Sequence, residues 1–293
     1  MSFLAQHDLA WHYARFTLPE DWECTGYTCR QKDGRIELSN PEGFIAQYNW
    51  RNVKAVPDIK RIMNTVYQRH LEDNDCPEKK DFKDLHFSEL SGFTVGYGHE
   101  NLPFYAGRFI ESNSTLIEWV FPSWSKKFMK LILPDLLASF QENYDDVRYW
   151  SAFGLPHYIP KEYQLEHVDA QPANVSFHYE TKKHHRLIVR RWGLTDEHLR
   201  DHTLKQFYGL FLVDSKMTLD AIDEFDFHDK PAVRASFQDR GRFGLDKLIA
   251  KWWRGEATAF FNADEKRIYS VEQIAPKRKF KEWSADNVFF FKK

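Results

Sequence analysis

The residue types closest to a chemical site lie in Glu197-His198-Leu199-Arg200-Asp201-His202. Histidines at i and i+4 share one face of a helix, and two imidazoles there could bind one metal ion as in a metal-dependent enzyme. Two ligands are too few, and Glu197 and Asp201 fall on a neighbouring line of the same helix. The order also departs from His-Glu-x-x-His, whose glutamate directly follows the first histidine. A solvated polar face is the plainer account of these residues. His184-His185 sits beside Lys182 and Lys183 in what reads as a surface turn. Gly98-His99-Glu100 sets a base beside a carboxylate at a hairpin tip, where sequence neighbours need not point the same way. Cys24 and Cys29 are oddly spaced in or beside one strand, which turns them to opposite faces. With Cys76 they make an odd number without a CxxC pair, poor material for a disulfide framework or a zinc site. Glycine-rich phosphate loops and GxSxG elbows are missing from the sequence, so the expectation is no catalytic set and no cofactor.

A second pattern suits nucleic acid. Arg186, Arg190 and Arg191 on one strand, Arg200, Arg240, Arg242 and Lys277-Arg278-Lys279 interleave with Trp252, Trp253 and Trp283. Bases stack on aromatic rings in a basic groove, so the surface of Arg190, Arg191, Trp252, Trp253, Lys277, Arg278 and Lys279 is a candidate. Core tryptophans and solvated lysines give the same pattern. The chain's net charge of −2 weighs against a general polyanion binder. The halves differ, with 16 Lys+Arg against 22 Asp+Glu in residues 1–146 and 25 against 21 in residues 147–293, so the positive excess is all in the second.

The elements that would position these residues read as two α+β units, 1–145 and 146–293. Chain length and a repeated Phe-x-Leu-Pro, at Phe16-Thr17-Leu18-Pro19 and Phe153-Gly154-Leu155-Pro156, support that division. After each copy come β-rich segments, a strand ending in Trp50 or Trp192, and an amphipathic helix. In the first half, turn signals separate a meander up to Trp50; Ile59, Ile62, Met63, Val66 and Tyr67 give a helix one apolar face. Strands follow near 92–98, 103–111 and 115–121, then a helix from about Ser123 to Asn143 bent at Pro134. In the second half, strands are expected near 147–155, 163–169, 174–180 and 185–192, then one helix starting at Thr195. Beyond Lys216 the copy is expected to diverge, with strands near 221–228 and 231–238, a short helix over Gly241–Trp253 and a hairpin from Thr258 to Ile274. The Phe289-Phe290-Phe291 triplet is expected in a final strand docked on an edge, because exposed it would be adhesive.

The order of a strand into x-Leu-Pro-x-x-Trp, a meander, a helix, three strands, then Pro122 and a helix closing in Leu136-Leu137-Ala138-Ser139-Phe140 resembles the Mog1/PsbP-like fold. The resemblance covers residues 11–143 better than 147–239. It implies antiparallel sheets packed with helices, and binding proteins rather than enzymes: a nuclear-transport accessory factor, a photosystem subunit, secretion chaperones. It carries over no catalytic residue. Met1 to Trp11 lacks the basic start and apolar core of a signal peptide, and no apolar run nears the about 20 residues of a membrane helix. The expectation is a cytoplasmic protein- or peptide-binding adaptor or chaperone-like protein, with nucleic-acid binding and metal-dependent catalysis as alternatives.

Overall fold

The computed structural model describes residues 6–73, 85–98, 102–143, 145–239, 253–276 and 284–290. The chain divides after residue 144 into two compact units. The first contains β1 (Gln6–Trp11), β2 (Ala14–Pro19), β3 (Glu23–Tyr27), β4 (Asp33–Asn40), β5 (Gly43–Asn52), α1 (Ile59–Asp73), β6 (His86–Leu90), β7 (Phe93–Tyr97), β8 (Phe104–Ile110) and β9 (Thr115–Phe121). It ends in α2 (Lys126–Leu131), α3 (Leu133–Ala138) and β10 (Gln141–Glu142). The second contains β11 (Val147–Trp150), β12 (His157–Pro160), β13 (Gln164–Gln171), β14 (Asn174–Glu180), β15 (Arg186–Trp192), α4 (Thr195–His198) and α5 (Leu204–Asp214). It continues through β16 (Met217–Phe227), β17 (Lys230–Asp239), β18 (Trp253–Asn262) and β19 (Arg267–Pro276) to α6 (Ala285–Phe289).

Each unit is built on a seven-stranded antiparallel sheet, ordered β3-β4-β5-β9-β8-β7-β6 in one and β13-β14-β15-β19-β18-β17-β16 in the other. The order is the same, so the expected divergence after Lys216 is not one of topology. It is one of length: β16 to β19 have 10 or 11 residues where β6 to β9 have 5 to 7. A small sheet, β1-β2-β10 or β11-β12, covers one face, and α1 or α5 lies on the other.

The small-sheet side holds the large rings. Phe16 of β2 lies 5.0 Å from Trp119 and 5.5 Å from Tyr48 between ring centres, and Trp150 of β11 lies 5.5 Å from Tyr179. Burying such rings contributes about 1.5–3 kcal/mol each to the stability of either unit. His157 of β12 is buried there too, with Nδ1 donating to the Leu155 carbonyl at 2.8 Å and the Tyr179 hydroxyl donating to Nε2 at 2.6 Å. That pair of partners fixes a neutral ring, and desolvation lowers its pKa to about 3.

Trp50 and Trp192, which the repeat aligns, are not equivalent. Trp50 faces the small sheet with Tyr48, whereas Trp192 faces the helix and packs on Phe211 at 5.0 Å. Pro134 does interrupt its helix: the chain breaks at Ile132, and α3 begins with the proline in its first turn. The segment stops well short of Asn143, because the Ser139 hydroxyl donates to the Leu136 carbonyl and accepts from the Thr17 amide; Gln141 and Glu142 then pair with β2. At the other end Phe289 and Phe290 belong to a short helix and its cap, not to a strand. Their rings rest on Phe260, Tyr269 and Phe227 at 5.3 to 5.8 Å, which covers Phe289 in part and leaves Phe290 40% exposed. Trp253 starts β18; residues 241–252 and Phe291 lie outside the described residues.

α1 approaches its sheet closely at Gly107, where a Cβ would meet Ile59 Cγ2 and Met63 Cε at 2.9 Å. We expect Gly107→Val to lower stability by about 1–3 kcal/mol in urea unfolding, through overpacking under the helix. His157 gives a pH dependence. Its folded pKa lies below the unfolded value, so its contribution is whole above about pH 6.5 and is lost as pH falls from there toward about 3. The slope is at most ~1.4 kcal/mol per pH unit. Unfolding midpoints measured at pH 7 and pH 4 should fall less in His157→Phe than in the unsubstituted protein.

Candidate functional site: the helix-side face of the sheets

Successive residues of a strand point to opposite faces, and this separates residues that the sequence groups together. Arg191 lies on the small-sheet side and is only 9% exposed. Arg190 lies on the helix side, where Nε donates to Glu272 Oε1 at 2.8 Å and the guanidinium sits 5.2 Å from the Phe211 ring centre. Neither cation is available to a phosphate backbone. Trp253 is half-buried with the Arg186 guanidinium 4.9 Å from its ring, so it is no open stacking platform. Trp252, Lys277, Arg278 and Lys279 lie outside the described residues, as do Arg240, Arg242, His99, Glu100 and Cys76. The basic, aromatic surface proposed from Arg190, Arg191 and Trp253 therefore does not assemble among the described residues.

His198 and His202 do not share a helix. α4 stops at His198, and a new helix starts at Leu204 because Thr203 caps it: its hydroxyl accepts from the Gln206 amide while the Gln206 side chain accepts from the Thr203 amide. His198 instead packs at 4.9 Å on Phe207. Among the described residues no group of three or more His, Cys, Asp or Glu side chains is placed to hold a metal ion. Cys24 lies in β3, its thiol pKa pushed up to about 12 by burial, which makes it unreactive; Cys29 lies beyond the end of that strand.

What the structure does bring together is a polar half-face. α1 packs on β7 and β8, and α5 on β16, β17 and β18, toward one end of each sheet. Toward the other end the helix-side residues are polar: Arg35, Glu37, Gln47, Asn49 and Arg51 in the first unit, His167, Ser176, His178 and Glu180 in the second. The Arg35 and Arg51 side chains are 56% and 43% exposed, and His167 is exposed. Neighbours fix one another in place. Arg35 pairs with Glu37 at 2.9 Å, and His178 Nε2 shares a 2.9 Å hydrogen bond with the Ser176 hydroxyl. Ser176 and His178 have the types of a nucleophile and its base, but Ser176 is 1% exposed, so its oxygen faces no substrate.

Where the half-face meets the helix, both units carry the same diagonal ion pair. Asn49 stands opposite Glu118 across β5 and β9, and Arg51, two residues on, binds Glu118 at 3.2 Å. Ile188 stands opposite Glu272 across β15 and β19, and Arg190, two residues on, binds Glu272. Glu118 is mostly buried, and desolvation raises its pKa against the opposing pull of Arg51. Glu272 is 1% exposed and also accepts from the Ser270 hydroxyl at 3.1 Å and the Tyr208 hydroxyl at 3.4 Å. Burial raises the pKa of Tyr208, which keeps that phenol a donor. Sequence reading missed both glutamates. The signal was one carboxylate inside a strand of mainly apolar and otherwise uncharged residues, Glu118 within Thr115–Phe121 and Glu272 within residues 268–274.

Removing one partner of a buried pair strands the other, which typically costs about 3–5 kcal/mol. We expect Glu272→Ala to fall in that range by urea unfolding, and Arg190→Met with Glu272→Met to cost clearly less than Glu272→Ala alone. Comparison with protein-family models and with curated proteins finds no match to this chain.

Proposed function

We propose that this chain is a non-enzymatic protein- or peptide-binding module, an adaptor or chaperone-like accessory protein, that receives its partner on the helix-side face of its sheets. One observation carries the reading. In each unit the helix sits toward one end of the sheet, and the polar residues beyond it, with Arg35 and His167 exposed among them, are held by cross-strand pairing, hydrogen bonds and ion pairs. Preorganised polar groups lose little entropy on binding, which is what a recognition surface needs. Three of the four outer strands of the large sheets suit a partner less. Irregular register interrupts β3 between Cys24 and Gly26, β13 between Leu165 and His167, and β16 between Leu219 and Ala221, which hinders the addition of a further strand. An antiparallel sheet with a helix on one face agrees with the resemblance to the Mog1/PsbP-like proteins, which are mostly binding proteins, although there helices take both sides of the sheet and here a small sheet takes one.

The test is photo-crosslinking in the native source, with the reactive residue at Arg35, at His167, or at Leu131 on α2 as a control that is 49% exposed. A defined polypeptide should be captured from Arg35 or His167 and not from Leu131. Capture of nucleic acid at the face, or equal capture from Leu131, would overturn the reading.

A further inference from the structure

We propose that the groove between α1 and β5 binds an acidic peptide segment that presents an apolar side chain between two carboxylates. This rests on the protein-binding reading and names the chemistry of the partner. The groove encloses about 430 Å³ and is lined by Arg51 from β5 and by Arg61, Ile62, Thr65, Val66 and Arg69 from α1. Its charges are not all balanced. Arg51 is paired with Glu118. Asp58 also lines the groove, its carboxylate accepting from the Arg61 amide at 3.0 Å; with Glu118 it sets two carboxylates against Arg51, Arg61 and Arg69, which leaves the groove positive by one charge. Among the described residues neither Arg61 nor Arg69 has an ion-pair partner, and both are exposed. The two stand eight positions apart, roughly 12 Å along the helix axis. An extended peptide covers that distance in about four residues.

Thr65 stands between the two arginines on their own line of the helix, and on the neighbouring line, at heights between them, lie Ile62 and Val66, one turn apart, with Val66 40% exposed. An apolar strip alongside two cations, at heights between them, matches a carboxylate, an aliphatic side chain and a second carboxylate. It matches a phosphate backbone poorly. Among the described residues that line the groove none is aromatic, so bases would find nothing to stack on. Only two cations are unpaired, so few counterions would be released. The local charge also stands out from its surroundings: residues 1–146 carry 16 Lys+Arg against 22 Asp+Glu. A positive groove on a negative unit directs an acidic segment to one place.

The test is fluorescence anisotropy on the full chain with a labelled synthetic peptide in which glutamates about four residues apart flank leucine and valine. The probes for comparison are the same peptide with lysine for glutamate, and a single-stranded thymidine oligonucleotide of matched length. The glutamate peptide should bind saturably, and Arg61→Glu with Arg69→Glu should weaken it by about tenfold or more. Val66→Ser should weaken it without altering its salt dependence. These side chains are exposed, so circular dichroism of each variant should match the unsubstituted protein. Absent saturable binding, unchanged affinity in the double variant, or tighter binding of the oligonucleotide would each overturn the assignment. If a polypeptide is still captured at Arg35 or His167 while the peptide fails to bind, the groove assignment alone falls.

Discussion

Both units depend on a pairing between strands far apart in the chain. β5 pairs with β9, and β15 with β19, so that residues as distant as Arg186 and Ile274 stand side by side. The chain lays down three strands from one edge inward, crosses under a helix to the opposite edge, and works back to close the middle. The last strand in sequence is therefore a central strand, paired on both sides. In the second unit it is also covered on both faces, and every residue from Ile268 to Ala275 is buried. A carboxylate at Glu272 is then costly unless it is ionically paired and hydrogen-bonded, and Arg190, Ser270 and Tyr208 supply those partners. The first unit meets the same constraint with Glu118 and Arg51 at the same diagonal step. The ion pair follows from where the topology puts the closing strand.

The two helices solve the packing problem differently. α1 is polar on its outer side and gains closeness from glycines in the sheet, Gly96 and Gly107, which admit Met63 and Ile59. α5 carries the glycine itself: Gly209 lies against Leu219 and Ile222, while the sheet offers Ala235, Ala257 and Ala259 beneath it. α5 is apolar nearly all round, with Leu210 and Val213 half exposed, and rings of Trp192, Phe207 and Phe211 gather along its inner side. Small residues at the crossing are needed in either case, and they are split between layers in one unit and the other.

The strands were readable because their alternation and turn residues are local. The segments near 92–98, 103–111, 115–121, 174–180 and 185–192 match β7, β8, β9, β14 and β15 to within a few residues. Pro134 acted as a fixed backbone constraint would. Facing was harder to read, because it depends on register set by distant partners. Trp50 and Trp192 end comparable strands yet point to opposite layers, and Arg190 and Arg191 are neighbours in sequence yet separated by the sheet. The spacing of His198 and His202 was sound only if the helix continued, and the Thr203–Gln206 box restarts it. The glutamates of the diagonal pairs were visible as exceptions within apolar strands, but their partners lie 67 and 82 residues away. Local periodicity has no access to such pairs.

A chain made from its first residue onward meets the closing strand last. Until Arg267–Pro276 has been added, β15 and β18 both lack a neighbour, and the second sheet stands as two separate pieces with four open edges. β16, β17 and β18 are long, and the finished sheet buries the hydrophobic faces of β17 and β18, so during this interval unpaired edges and apolar surface stand open together. The first unit passes the same stage with strands half as long. The order of strands that closes each sheet at its centre thus leaves the newborn second half with longer unpaired edges than the first.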